Sequence, residues 1–69
     1  MQGLQYTGFR QGEIVRDQHG REYVFARMIC MSMYVYDPRQ MLICVYTNGT
    51  NAFRRDEVLE FETTGRFVV

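Results

Sequence analysis

Few side chains in this sequence could carry out chemistry, and they are widely spaced. The single histidine, His19, follows Asp17 by two residues, but no activated serine or cysteine completes a set of nucleophile, base and orienting group. The two cysteines, Cys30 and Cys44, lie in apolar runs and form neither a zinc-ligand spacing nor a CxxC pair. We therefore predict that the protein is not an enzyme and holds no cofactor or metal ion.

Tyrosine and arginine are the residue types in this sequence that are best suited to binding. Tyr34 and Tyr36 fall on one face of a predicted strand, where tyrosine offers a rigid, amphipathic contact surface. Guanidinium groups beside such a surface suit single-stranded nucleic acid or a protein partner. The predicted binding residues are Tyr34, Tyr36, Tyr46, Arg27, Arg54 and Arg55.

Each of these candidates also has an ordinary structural interpretation, and the sequence leaves both interpretations open. The tyrosines could stabilise the sheet by packing against neighbours across the strands. The Arg54-Arg55-Asp56-Glu57 run could hold a phosphate, or its charges could pair with one another and with solvent.

The composition favours one ordered globular domain over residues 1–69. The chain has 69 residues, of which 46% are hydrophobic and 14% aromatic, and the aromatic residues run from Tyr6 to Phe67. Eight basic residues, all of them arginine, balance eight acidic residues, so the formal net charge is zero. This balance removes the strong electrostatic argument for a nucleic-acid-binding domain.

We expect a soluble, cytoplasmic protein that does not contact a membrane. The first residues show neither a basic region nor an apolar region of the kind found in signal peptides. The longest apolar-rich stretch, residues 23–36, contains Arg27 and Ser32 and is too short to span a bilayer. Without a secretory route, the Asn48-Gly49-Thr50 sequon is incidental.

Turn signals divide the chain into five predicted strands. These strands cover residues 13–17, 22–36, 41–46, 51–54 and 59–62, and a 3₁₀ turn is predicted at 55–58. The long second strand is expected to bulge near residues 28–32, where both faces are apolar. Pro38 and the Asn48-Gly49 pair mark the two tight turns that follow.

The positions of these turns also predict the register and hence the faces of the sheet. A loop centred on Pro38-Arg39 pairs Tyr34 with Ile43, and a turn at Asn48-Gly49 pairs Cys44 with Phe53. The face predicted to form the core then collects Met31, Met33, Val35, Leu42, Cys44 and Phe53. The other face carries Ser32, Tyr34, Tyr36, Ile43, Val45, Ala52 and Arg54.

The order of these elements is similar to that of small SH3-like barrels. Gly12-Glu13-Ile14-Val15 resembles the glycine-led first strand of those folds, and residues 45–61 resemble the third-to-fifth-strand region of Tudor-type and KOW-like domains. The resemblance covers about residues 12–62 and implies an all-β, five-stranded SH3-like barrel with a short 3₁₀ turn before the last strand.

The resemblance also implies two kinds of binding. Tudor-type domains hold methylated lysine or arginine in an aromatic cage, for which this chain offers Tyr23, Tyr34, Tyr36 and Tyr46, whereas KOW-like domains bind RNA or polymerase partners through basic loops. Our first expectation is a non-enzymatic module that binds a protein partner or itself, such as an accessory or phage-type regulator. The alternative is a nucleic-acid-binding barrel that uses the arginines and tyrosines.

Overall fold

The computed structural model describes residues 8–47, 52–55 and 57–68, in which seven strands form one antiparallel sheet. The strands are β1 (Glu13–Arg16), β2 (Glu22–Ile29), β3 (Ser32–Tyr36), β4 (Leu42–Thr47), β5 (Ala52–Arg54), β6 (Glu57–Leu59) and β7 (Glu62–Phe67). Their order across the sheet is β6-β5-β4-β3-β2-β1-β7, and the sheet curls into an open half-barrel. In these ranges no helix is long and apolar enough to cross a membrane.

The all-β class is confirmed, but the predicted count of five strands is wrong. The long strand predicted over residues 22–36 is a hairpin in which Cys30 and Met31 form the turn between β2 and β3. Cys30 has a φ of 54°, a conformation that glycine and asparagine adopt far more readily than other residues. The chain therefore reverses inside an apolar run that contains no turn-forming residue.

The bulge that bends β2 lies nearer the centre of that strand than predicted. Phe25 pairs with Val35 and Arg27 pairs with Tyr34, so Ala26 is the extra residue. Because a bulge shifts the alternation of side chains by one residue, Phe25 and Arg27 lie on opposite faces of the sheet. Arg27 is thereby placed outside the core, beside Tyr34.

The chain after β5 also differs from the prediction. In place of the expected 3₁₀ turn, Arg55 forms a turn with a φ of 52°, and β6 begins at Glu57. The predicted closing strand at residues 59–62 is divided between β6 and β7, and β7 lies beside β1 at the far edge of the sheet. The hairpin expected at Asn48-Gly49 lies outside the described residues.

The loop between β3 and β4 sets a register that differs by one residue from the predicted one. The backbone N–H of Asp37 donates to the carbonyl of Met41 at 2.9 Å, and the N–H of Gln40 donates to the carbonyl of Asp37 at 2.7 Å. Gln40 has a φ of 67°, which completes a three-residue loop of the kind that ends in a left-handed residue. Tyr34 therefore pairs with Cys44 and not with Ile43, as predicted.

This single step moves the side chains of β4 to the opposite faces and changes the membership of the core. The buried residues are Val15, Tyr23, Phe25, Met33, Val35, Val45, Ala52 and Leu59, and Phe9, Met28, Ile43 and Phe61 pack against them. Of the predicted core, Met33 and Val35 are confirmed. The prediction is wrong for Met31, Leu42, Cys44 and Phe53, none of which is buried.

The side chain of Gln18, in the turn between β1 and β2, closes the half-barrel against the edge of β6. Its Nε2 donates to the carbonyl of Val58 at 2.6 Å, and its Oε1 accepts from the N–H of Glu60 at 2.9 Å. A side-chain amide offers a donor and an acceptor much as a peptide group does. Gln18 therefore satisfies the β6 edge as a neighbouring strand would.

A buried carboxylate, that of Asp17, shapes the same turn. It accepts hydrogen bonds from the backbone N–H groups of His19 and Arg21, from Arg21 Nε and from the Tyr23 hydroxyl, at 2.9 to 3.1 Å. Burial alone would raise the pKa of Asp17, but these donors and the Arg21 charge outweigh it and hold the pKa below its ordinary value. His19 then contacts the Glu57 carboxylate of β6 through a hydrogen bond, and Arg21 forms an ion pair with the same carboxylate.

The Gln18→Ala variant should weaken the closure of the half-barrel. We expect its free energy of unfolding to fall by about 1 kcal/mol, since two hydrogen bonds are lost and the partners are exposed to solvent. The Glu60 amide should exchange with solvent faster in this variant. Urea unfolding and hydrogen exchange measured by NMR give the two quantities.

Gln18→Glu is the matched control, because a carboxylate keeps the acceptor for the Glu60 N–H but loses the donor to Val58. Hydrogen exchange of the Glu60 backbone amide should therefore stay slow in the Gln18→Glu variant. Equal exchange rates at Glu60 in the wild type and in Gln18→Ala would contradict the role assigned to this amide.

The Asp17→Asn variant should be destabilised in a pH-dependent way. Because folding lowers the pKa of Asp17, its ionised form contributes stability above the unfolded-state value of about 4, and this contribution is lost as the pH falls through the folded-state pKa. We expect a deficit of about 1–3 kcal/mol against the wild type at neutral pH, which shrinks as the pH falls below about 4. Urea unfolding at several pH values measures it. A deficit of constant size across this range would be inconsistent with the assignment.

Candidate functional site

The side of the sheet that faces away from the core carries a set of adjacent apolar and aromatic side chains. The cross-strand register places Tyr36 beside Leu42 and Tyr34 beside Cys44. It also places Tyr46 beside Phe53, which in turn pairs with Val58. We call this surface the outer patch and define it as Ile29, Tyr34, Tyr36, Leu42, Cys44, Tyr46, Phe53 and Val58.

The large side chains of the outer patch are well exposed. Tyr46 is 62% exposed, and Ile29, Leu42 and Tyr36 are 50%, 47% and 42% exposed. With typical side-chain areas, the patch presents roughly 600 Å² of surface, which is at the upper end for the largest apolar patch of a monomeric protein. Apolar patches of this size are often sites of interaction.

Arg27 adds a positive charge beside the centre of the outer patch. Its guanidinium carbon lies 5.9 Å from the centroid of the Tyr34 ring, within the range of a cation–π contact. The pKa of Tyr34 is raised above its ordinary value. The largest cause is a hydrogen bond with Cys44, and the charge of the Cys44 sulfur and burial add to it. The Tyr34 hydroxyl is therefore neutral near pH 7 and can donate a hydrogen bond.

An open hollow lies at one end of the outer patch, where β5 diverges from β4. Among the described residues, the pairing of these two strands ends at Tyr46 and Phe53. The hollow beyond this pair is lined by Ile43, Cys44, Tyr46, Arg54 and Arg55. Arg54 follows the buried Ala52 by two residues and so lies toward the inner face, whereas Arg55 is exposed. Two guanidinium groups and one tyrosine thus border the same space.

A second, smaller hollow lies at the other end of the patch, and its lining is mostly apolar. The lining includes Val24, Ala26, Arg27, Tyr36, Leu42 and Val68. Gly12 also lines it, at a φ of 86°, and its carbonyl accepts a hydrogen bond of 2.9 Å from the N–H of Val68. This bond holds the end of the described chain against the hollow.

The structure places most of the predicted binding residues on or beside the outer patch. Tyr34, Tyr36 and Tyr46 belong to it, and Arg27 adjoins it. Arg54 and Arg55 meet Tyr46 at the first hollow. Arg54 does not share a face with Tyr34 as predicted, because β4 is shifted by one residue against β3.

Tyr23 is not available as a wall of an aromatic cage. It is 1% exposed, its hydroxyl donates to Asp17, and its ring meets that of Phe61 edge-on at 5.3 Å. The expectation that came from the Tudor-type resemblance is therefore wrong for this residue. Tyr23 belongs to the core, where its hydroxyl satisfies the buried carboxylate.

Sequence reasoning missed five members of the outer patch: Ile29, Leu42, Cys44, Phe53 and Val58. Leu42 and Phe53 were assigned to the core because the β3–β4 loop was expected to be one residue shorter than it is. Val58 was expected inside, but Leu59 takes that place. The period-two alternation of each strand was visible in the sequence, but which face is buried depends on loop geometry that composition does not reveal.

The outer patch and its two hollows carry side chains that can contact a partner molecule. Aromatic rings, aliphatic side chains and guanidinium groups bind by burial, stacking and hydrogen bonding. Across the part of the chain that the structure describes, no group of histidine, cysteine, aspartate and glutamate side chains is arranged to hold a metal ion. His19 lies outside the patch, in its hydrogen bond with Glu57.

Comparison with known proteins adds no functional information. No protein-family model, curated protein or solved structure matches the chain. A fold alone would not settle function in any case, so function has to be inferred from the surface itself.

If Tyr46 contacts a partner and does not pack within the sheet, removing its side chain should leave the stability of the fold almost unchanged. We expect Tyr46→Ala to change the free energy of unfolding by less than about 0.5 kcal/mol. Tyr23→Phe, which deletes one buried hydroxyl, should cost about 1–2 kcal/mol because Asp17 loses a donor. Urea unfolding compares the two variants. A larger loss in Tyr46→Ala would assign the outer patch to sheet stabilisation.

Proposed function

We propose that the protein is a non-enzymatic binding module that docks a protein partner on the outer patch, using a small SH3-like barrel as its scaffold. The observation that supports this most directly is the run of exposed apolar and aromatic side chains across adjacent strands, with Tyr46, Phe53 and Val58 in one row. Tyrosine and arginine are the residue types enriched in the energetic centres of protein interfaces.

The distribution of charge favours a protein over a nucleic acid. The formal net charge is zero, and Arg16 and Arg66 are engaged by Glu22. Nucleic-acid-binding surfaces usually show a clustered excess of basic residues, because neutralising phosphates supplies most of their affinity. The outer patch is instead largely apolar, with Arg27 at its side.

One observation favours nucleic acid as the second candidate function. The first hollow combines Tyr46 with Arg54 and Arg55, and an aromatic ring beside guanidinium groups can stack a base and contact its phosphate. The two candidates differ in their dependence on salt, since phosphate binding weakens steeply as the salt concentration rises.

The proposal is tested by two binding measurements on the purified protein. A displayed library of random peptides is selected against the wild type, and the enriched peptides are measured by fluorescence anisotropy. Labelled single- and double-stranded DNA and RNA are titrated in parallel over a salt series. We expect enriched peptides that lose at least about tenfold in affinity with Tyr46→Ala, the loss typical of an interface residue that matters.

Arg39→Ala is the matched control, because Arg39 is exposed in the β3–β4 loop and lies outside the patch. Peptide binding should be unchanged in this variant. The proposal fails if no selected peptide depends on Tyr46. Binding of nucleic acid that weakens steeply with salt and is lost in Arg54→Ala would favour the second candidate instead.

A further inference from the structure

We propose that the segment docked on the outer patch is an extended acidic peptide. One apolar side chain of this peptide occupies the hollow beside Tyr36 and Leu42, and a carboxylate occupies the hollow bordered by Tyr46, Arg54 and Arg55. The inference rests on the proposed function and specifies the chemistry of its partner.

The arginines that line the first hollow have no ion-pair partner among the described residues. Ion pairs among the described residues join Arg16 and Arg66 to Glu22, and join Arg21 to acidic groups of the β1–β2 turn and β6. Within the same described residues, Arg27, Arg54 and Arg55 take part in no ion pair. Among the described residues that line the hollow there is no carboxylate. Glu57, the cross-strand partner of Arg54, is held by His19 and Arg21. A carboxylate from a partner would therefore meet two guanidinium groups that no acidic side chain of the described residues engages.

Guanidinium groups are well suited to this ligand. An arginine binds a carboxylate through two parallel N–H···O hydrogen bonds, and such charge-assisted bonds are roughly twice as strong as neutral ones. In the hollow, the Tyr46 ring lies beside the arginines and offers apolar surface to the methylene groups of an acidic side chain. The combination selects for a glutamate or aspartate that is flanked by apolar residues.

The second hollow supplies an apolar contact at a fixed distance from the first. Its apolar lining includes Val24, Ala26, Tyr36 and Leu42, and Arg27 and Gln11 also border it. Leu42 lies four residues before Tyr46 on β4. Four residues of strand span about 14 Å, and side chains four apart point to the same face. An extended peptide lying along β4 would thus place its apolar and acidic side chains four residues apart.

The space between the hollows suits the middle of such a peptide. Tyr34 and Cys44 pair with each other there, midway along β4 between Leu42 and Tyr46. The Tyr34 hydroxyl can donate to a peptide carbonyl, and its ring presents a flat contact surface. The outer patch of roughly 600 Å² approaches the ~800 Å² that each partner contributes to a standard protein interface.

A second copy of the chain fits the outer patch less well than an acidic peptide does. A two-fold dimer would bring two copies of the same patch together, so that Arg27 of each chain would approach the other without a carboxylate in the patch. Contact between the patch and the exposed acidic residues Glu60 and Glu62 would be head-to-tail, which favours open-ended assembly over a closed dimer.

The inference is tested with defined, terminally blocked peptides. The probe carries leucine and glutamate four residues apart in a threonine background, and two matched probes replace the glutamate with glutamine or the leucine with serine. Fluorescence anisotropy measures each probe against the wild type and the Arg55→Ala, Leu42→Ser and Arg39→Ala variants. Arg55 and Leu42 are exposed, and circular dichroism checks that each variant is folded.

We expect the glutamate probe to bind about tenfold more tightly than the glutamine probe. Arg55→Ala should remove this difference, whereas Leu42→Ser should weaken both probes by a similar factor and Arg39→Ala should change neither. Charge reversal provides a further check. Arg55→Glu should prefer a probe that carries lysine in place of glutamate.

The outcomes separate this inference from the proposed function. If peptides bind in a Tyr46-dependent way but the glutamate and glutamine probes bind equally, the acidic partner is excluded and the binding module remains. If neither the defined probes nor library peptides bind through Tyr46, both proposals fail. A dimer in sedimentation analysis that is abolished by Tyr46→Ala would show that a second copy occupies the patch and would overturn the inference.

Discussion

The hydrogen bonds of Asp37 hold the three-residue loop between β3 and β4, and both faces of the sheet depend on that loop. One carboxylate oxygen of Asp37 accepts from the backbone N–H groups of Arg39 and Met41, at 2.9 and 2.8 Å, and the backbone of Asp37 bonds to Gln40 and Met41. With the loop closed in this way, Val45 is buried and Tyr46 is exposed. One more residue in the loop would exchange the two faces of β4.

The half-barrel closes where the β1–β2 turn meets the edge of β6. Gln18 satisfies the β6 edge, and the Asp17 carboxylate holds the turn from which Gln18 extends. These contacts protect a strand edge that would otherwise invite pairing with another chain. Because they come from one short turn, they add no layer over the convex face. The patch can therefore remain apolar and exposed, although its edge residue Val58 also accepts the closing hydrogen bond from Gln18.

A net charge of zero conceals an uneven distribution of charge. Asp17, Glu22 and Glu57 are engaged by arginine and histidine side chains of β1, β7 and the β1–β2 turn. The arginines beside Tyr46 and Tyr34 have no such partners among the described residues. The paired charges lie at the closure and edges of the sheet, and of these side chains only that of Asp17 is buried. The unpaired ones lie where a ligand would bring its own carboxylate, which is the basis for preferring an acidic partner.

The strand-rich class, the first strand and its Gly20 turn, and the outward position of Tyr34 and Tyr36 all followed from the sequence. Each has a local cause, in β-branched and aromatic runs bounded by turn-forming residues. The Cys30-Met31 turn could not be anticipated, because a left-handed non-glycine residue costs about 1 kcal/mol locally and is stabilised only by the pairing of β2 with β3. Gln40 also adopts a left-handed conformation, which the pairing of β3 with β4 stabilises. Leu42 and Phe53 became part of the candidate site for the same reason. Long-range strand pairing and burial of the core decide which face of each strand is exposed, and local propensity carries no information about either.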